Sequence, residues 1–176
     1  MRQKLSAAVL FALTAVLSLA ARAFTADGFT SGMSPSDLAS VAASRSLEAW
    51  EHSDGIFAVG KRSESRVDGT FTFCDSKLFA YNRVLDFDVE YFQTVQRFLA
   101  EFGQPNRLTT EEQPWPGPGG GYVRSVQLLW TRGDDRVTLS VIPEGRDGRG
   151  ALRHNRSATV SYLSRTRCSA KQFAKP

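Results

Sequence analysis

"GIFAVGKRSESRVDGTFTFCDSKLFAYNRVLDF", Gly55 to Phe87, is the stretch that decides the fold. Ile56 to Lys61 is apolar and β-compatible. Val67 to Cys74 partly alternates, with Phe71 and Phe73 on one face and Thr70 and Thr72 on the other. Asp75-Ser76 is short enough for a tight turn, and Leu78 to Val84 then runs back. Strands that alternate, rather than running wholly apolar, belong to an antiparallel sheet with one face able to meet water.

Reading outward, each side of this stretch predicts a helix. On the N-terminal side, "GMSPSDLASVAASRSLEAW" offers Ser34 as a cap, Pro35 at the first helical position and Asp37 in the first turn. Leu38, Val41 and Ala42 form its apolar stripe, and the helix is expected to end between Ser46 and Glu51. On the C-terminal side, "DVEYFQTVQRFLAEFGQP" reads as the strongest helix, capped by Asp88 and stopped by Gly103 and Pro105. Its stripe runs through Phe92, Val95, Leu99 and Phe102, widened by Tyr91 and Phe98.

Further on, "YVRSVQLLWTRGDDRVTLSVI" reads as a hairpin that turns within "TRGDDR", and "SATVSYLS" as a last strand. The order is helix, three strands, helix, three strands. Two αβββ halves of this kind give an α+β fold: an antiparallel sheet with two helices on one face. Phe71, Phe73, Phe92, Leu99, Leu128 and Leu139 are the expected core.

The N-terminus gives an address. "MRQKLSAAVLFALTAVLSLAARA" has a basic start, an apolar run from Leu5 to Ala20, and an Ala21-Arg22-Ala23 site. That is the pattern of a secretory signal peptide over 1–23, and it predicts a periplasmic or secreted protein. The run is shorter than the roughly 20 residues of a membrane span, so no transmembrane span is expected after cleavage. Residues 24–176 are then expected to form a single domain with a basic C-terminal segment. The leader carries three bases and no acid, so its loss lowers the formal charge from +4 to +1. The residual charge is uneven: 146–176 is net +7 and 24–145 net −6. Such asymmetry marks either an anionic partner or a protein satisfying its own charges. Anionic envelope material fits the basic segment better than nucleic acid does. An exported pair of cysteines, Cys74 and Cys168, reads as a disulfide, worth about 4–5 kcal/mol for so long a loop in the chain-entropy view.

The αβββ-αβββ order resembles the tandem outline of the secreted β-lactamase inhibitor protein family. Each half also resembles the small SmpA/BamE-type envelope domain. "GMSPSDL" and "EFGQP" are similar to phrases in such exported bacterial proteins. No lipidation Cys follows the apolar run, a departure from the lipoprotein members. The resemblance implies a binding scaffold. The expected partner is an envelope or extracellular protein, reached by the loop around Trp115 and the exposed sheet face.

Catalytic chemistry finds little to use. There is no phosphate loop, no H-E-x-x-H helix and no nucleophile elbow. No cofactor and no metal are expected. Glu51, His52 and Asp54 are the one grouping that suits a small enzyme or a ligand or metal site. Arg149, Arg153 and Arg156 suit phosphate or carboxylate groups. "PWPGPGGGYV", Pro114 to Val123, closes an expected loop from Gln104 to Gly121, long enough to suggest a role. Trp115 between two prolines, followed by Tyr122, either anchors a partner or folds back over the domain itself.

Overall fold

The computed structural model describes residues 24–114, 122–146 and 152–165. The expectations for the leader, Trp115, Arg149 and Cys168 lie outside the described residues. The fold is α+β with antiparallel sheets. In chain order it runs β1 (Thr25–Ala26), β2 (Phe29–Thr30), α1 (Pro35–Ala43), β3 (Glu48–Ser53), β4 (Ile56–Lys61), β5 (Arg66–Cys74) and β6 (Lys77–Leu85). It continues with α2 (Tyr91–Phe102), β7 (Arg107–Pro114), β8 (Tyr122–Arg132), β9 (Asp135–Ile142), β10 (Gly145–Arg146), β11 (Leu152–His154) and β12 (Ser157–Ser164). Eight strands form one sheet in the order β3-β4-β5-β6-β12-β9-β8-β7. The remaining strands make two ribbons, β1-β2 and β10-β11.

Local chemistry sets most boundaries. Ser34 and Asp37 form a reciprocal capping box at the start of α1, with Pro35 in its first turn. Two turns follow the hairpin rules. Asp75 and Ser76 both hold positive φ, as a type I′ turn requires, and Gly133 alone does so between β8 and β9, as in type II′.

Four expectations are corrected. First, α1 stops at Ala43. Ser46 takes a left-handed φ of 57° and Leu47 N–H reaches back to the Ala42 carbonyl at 3.0 Å, closing the helix a few residues early. The residues expected to continue it become β3. Second, Asp88 does not cap α2. The N-cap position is Glu90, with no side-chain cap, and the Asp86 carboxylate accepts from the N–H groups of Asp88 and Val89 in the turn before the helix. Third, α2 is rotated from the expected stripe. Phe98 and Thr94 are its buried residues, while Phe92 is 66% and Leu99 38% exposed. Phe98 wins because it meets Trp130 edge-on at 5.4 Å and Tyr162 at 6.1 Å. Fourth, each helix is followed by four strands of the large sheet, not three. The expected loop from Gln104 is largely β7, paired residue for residue with β8 from Arg107↔Leu129 to Pro114↔Tyr122. The residues before 115 are therefore a strand, not a loop running on from α2.

The core lies on one face of the sheet. Phe57, Phe71, Tyr81, Tyr162, Val137 and Trp130 stand in register across six adjacent strands. Phe71 stacks on Tyr81 at 4.4 Å and Tyr81 on Tyr162 at 5.8 Å. Gly69 makes room for this row, since a Cβ there would meet the Tyr81 ring at 2.7 Å. Leu38 and Ala42 of α1, Phe98 of α2 and Phe29 of β2 complete the same buried cluster. Both helices and the β1-β2 ribbon therefore lie on this face. Phe71 and Leu139 are buried as expected, and Phe73 and Leu128 pack at the margin.

Two outcomes follow. Phe98→Ala should cost about 3–5 kcal/mol in urea unfolding, against less than about 0.5 kcal/mol for Phe92→Ala; similar losses for the two would contradict the helix rotation. Cys74 is buried at the end of β5, and its bond to Cys168 is a proposal. Intact mass after alkylation of the unreduced, denatured protein should show no modified thiol.

Candidate functional site

The opposite face of the sheet is the candidate site. Residues one step along each strand from the aromatic row point the other way. They form a second row in register: Trp50, Ala58, Thr70, Asn82, Ser161, Thr138, Leu129 and Arg107. A parallel row runs Val84, Thr159, Ser140, Gln127 and Thr109. Neither helix and no part of the β1-β2 ribbon covers this face. Most of these residues are half-buried by their neighbours, and Val84 is exposed at the centre.

Its chemistry is that of short hydroxyls and amides. Within the first row, the six residues between Trp50 and Arg107 carry no charge. Charge gathers at the margins. Arg62 lies over the Trp50 ring at 6.0 Å, Gln127 donates to Glu111 at 2.6 Å, and Arg136, two residues before Thr138, stands near the start of β9. Thr and Ser at these positions suit strands and leave a flat surface with donors and acceptors.

The residues singled out by sequence fall in several places. Tyr122 begins β8 opposite Pro114 and is 70% exposed, at the far end of the β7-β8 hairpin. Arg156 is exposed, but it pairs with Asp88 and covers the Phe87 ring at 4.9 Å. That links β12 to the turn before α2, so the charge is partly used within the fold. Arg153 belongs to β11. Glu51, His52 and Asp54 do not converge. His52 is the extra residue where the β3-β4 register shifts, and Asp54 sits in the following turn. Glu51 and Asp54 line a shallow cleft of about 550 Å³ with Asp75, Phe57 and Phe73, and His52 is not among its lining residues. Among the described residues, no group of three metal-capable side chains is close enough to hold an ion.

A partly buried polar network on the core side was not foreseen. Tyr81 Oη donates to Asp27 Oδ2 at 2.9 Å, and Arg83 bridges Asp27 at 3.7 Å and Glu90 at 2.6 Å. Burial alone would lower the Arg83 pKa, but Asp27 and then Glu90 outweigh it and the net shift is upward. The network joins the β1-β2 turn, the central strand β6 and the approach to α2. Its donors and acceptors face one another, which assigns it to holding the fold. The one local sign of it is the Asp27-Gly28 pair, a hairpin-turn dipeptide.

Burial also acts on the tyrosines. It pushes the Tyr162 phenol up to about 12, against a modest lowering by Arg97, and it moves Tyr81 the same way with help from Asp27. No protein-family model, curated protein or solved structure matches this chain. Among the described residues, no helix is long and apolar enough to cross a membrane.

The tyrosine shifts have a definite sign. The folded state keeps both protons above pH 10, where an unfolded chain has begun to lose them. Stability is therefore undiminished below about 10 and falls as pH rises toward about 12. The melting temperature of Tyr162→Phe should fall less steeply over that window than that of the unaltered protein; parallel slopes would contradict the assignment.

Proposed function

We propose that this is an exported binding module that receives a protein partner on the open face of its large sheet. One observation carries the reading: an in-register row with an uncharged middle crosses the whole sheet on the side that the helices leave bare. Protein interfaces are depleted of charge at their centre and polar at their rim, and this face is arranged that way. Seven strand spacings make it roughly 34 Å wide, and strands of eight residues run about 26 Å. The product, on the order of 900 Å², is close to the roughly 800 Å² that each partner buries in a standard complex. Nucleic acid is a poor alternative, because the middle of the row has no Lys or Arg to neutralise phosphates.

The succession of helix and four strands, twice over, supports a reading as two αβ repeats meeting at β6 and β12. This would build a continuous face from two smaller ones. The leader pattern supports an encounter in the periplasm or outside the cell, with an envelope or extracellular protein as the proposed partner. Tyr122 stands exposed at one end of the sheet, and the sequence offers Trp115 nearby in the chain as an aromatic anchor that would extend the contact.

A photo-crosslinking residue at Thr138, introduced in the cells that make the protein, tests the reading. The expected result is one discrete protein adduct, absent when the crosslinker replaces Ser36 on α1 and lost when Ser161→Arg is added. Trp115→Ala should weaken the same adduct. Equal labelling from Thr138 and Ser36, or none from Thr138, would remove the open face as the binding surface.

A further inference from the structure

The two edges of the large sheet are built differently. β3 has six residues, its register shifts at His52, and α1 packs against it. Short length and bulges of this kind blunt an edge against further pairing. β7 has eight residues and pairs with β8 from Arg107↔Leu129 to Pro114↔Tyr122 without a register shift. Its one proline is the last residue. Among the described residues, no strand lies on its outer side. The outward row of backbone groups is therefore regular along the strand and suited to receive another strand.

The side chains of β7 add a second observation. Leu108 stands beside Leu128 on the core side and is 63% exposed. Arg107, Thr109 and Glu111 alternate with it and so belong to the open side. Arg107 and Glu111 are both exposed. Gln127 donates to Glu111, and a carboxylate accepts further donors. Glu112, on the other side of the strand, is matched by Arg124 of β8. Charges on an edge commonly deter pairing. Here the open side of β7 is basic at one end and acidic at the other, so a copy turned end to end meets opposite signs.

We propose that β7 pairs antiparallel with β7 of a second copy of this chain, about a two-fold axis at Thr109. Directly opposed residues in an antiparallel pair share a side of the sheet, so such an axis falls at a residue and not between two. With the axis at Thr109, Arg107 faces Glu111 of the other copy at both ends, and the two Thr109 side chains meet. Moving the axis by one residue loses both ion pairs. Moving it by two sets Arg107 against Arg107, or Glu111 against Glu111. The charges therefore select one register. The pairing joins two eight-stranded sheets into one, with both core sides on the same side. The two exposed Leu108 side chains then become diagonal neighbours across the seam. The seam lies at the sheet edge, so this proposal stands or falls separately from the binding role of the open face.

Sedimentation equilibrium of the mature protein over a concentration series tests it. A reversible monomer-dimer equilibrium is expected. Arg107→Glu alone and Glu111→Arg alone should each weaken the dimer at least about tenfold, because each sets like charges opposite at both ends. Mixing the two single variants restores opposite charges at both ends, and so does combining both changes in one chain. Either should recover the dimer to within about threefold of the unaltered dissociation constant. Both positions are exposed, so each single variant should remain folded by circular dichroism. A monomer at every concentration would leave the edge to a strand of another protein and overturn the proposal. So would a dimer that neither single change weakens, or folded single variants that fail to associate when mixed.

Discussion

The pairing of β6 with β12 holds this molecule together. Tyr81 and Tyr162 face each other across that seam and stack at 5.8 Å. The two strands are central neighbours in the eight-stranded sheet. Through their pairing, aromatic side chains from strands on either side fall into one row, and both helices have a common surface to cover. The seam joins segments far apart in sequence, so its loop-closure cost is recovered only when the whole row has formed.

The polar network beneath the seam depends on the same strand. Tyr81 and Arg83 sit two residues apart on β6 and so point to the same face. Asp27 reaches them from the β1-β2 turn and Glu90 from the approach to α2. Partly buried ion pairs of this kind add little net stability, but removing one partner leaves the other poorly matched. The network therefore acts as a register check, tying the N-terminal ribbon and α2 to one position along the sheet. Its consequence for function is indirect: helices and ribbon fixed on one side leave the other side open.

Sequence pattern and structure agree where a segment's faces have unequal demands. β5, β6, β8, β9 and β12 alternate because one side is buried, and the pattern placed each within a residue or two. The turns at Asp75-Ser76 and Gly133 and the cap at Ser34 are equally local. Agreement fails at the edges. "EAWEHS" and "RLTTEEQP", which form β3 and β7, border the sheet and bury little, so they lack alternation and resemble helix end and loop. In α2, apolar residues ring much of the helix, and the choice of Phe98 over Phe92 rests on where Trp130 and Tyr162 stand.

The candidate face shows the same division. Thr70 and Thr72 were readable as facing away from Phe71 and Phe73, and each Ser or Thr on the later strands could be assigned a side by the same rule. What no single strand contains is the row itself, because Ser161 stands beside both Asn82 and Thr138 only through the order of strands in the sheet. The sequence by itself determined the strands with a buried side, their hairpin turns and the start of the first helix, since each depends on neighbours within a few residues. Tertiary structure alone decided the edge strands, the rotation of α2 and the β6-β12 seam, since those depend on contacts between residues distant along the chain.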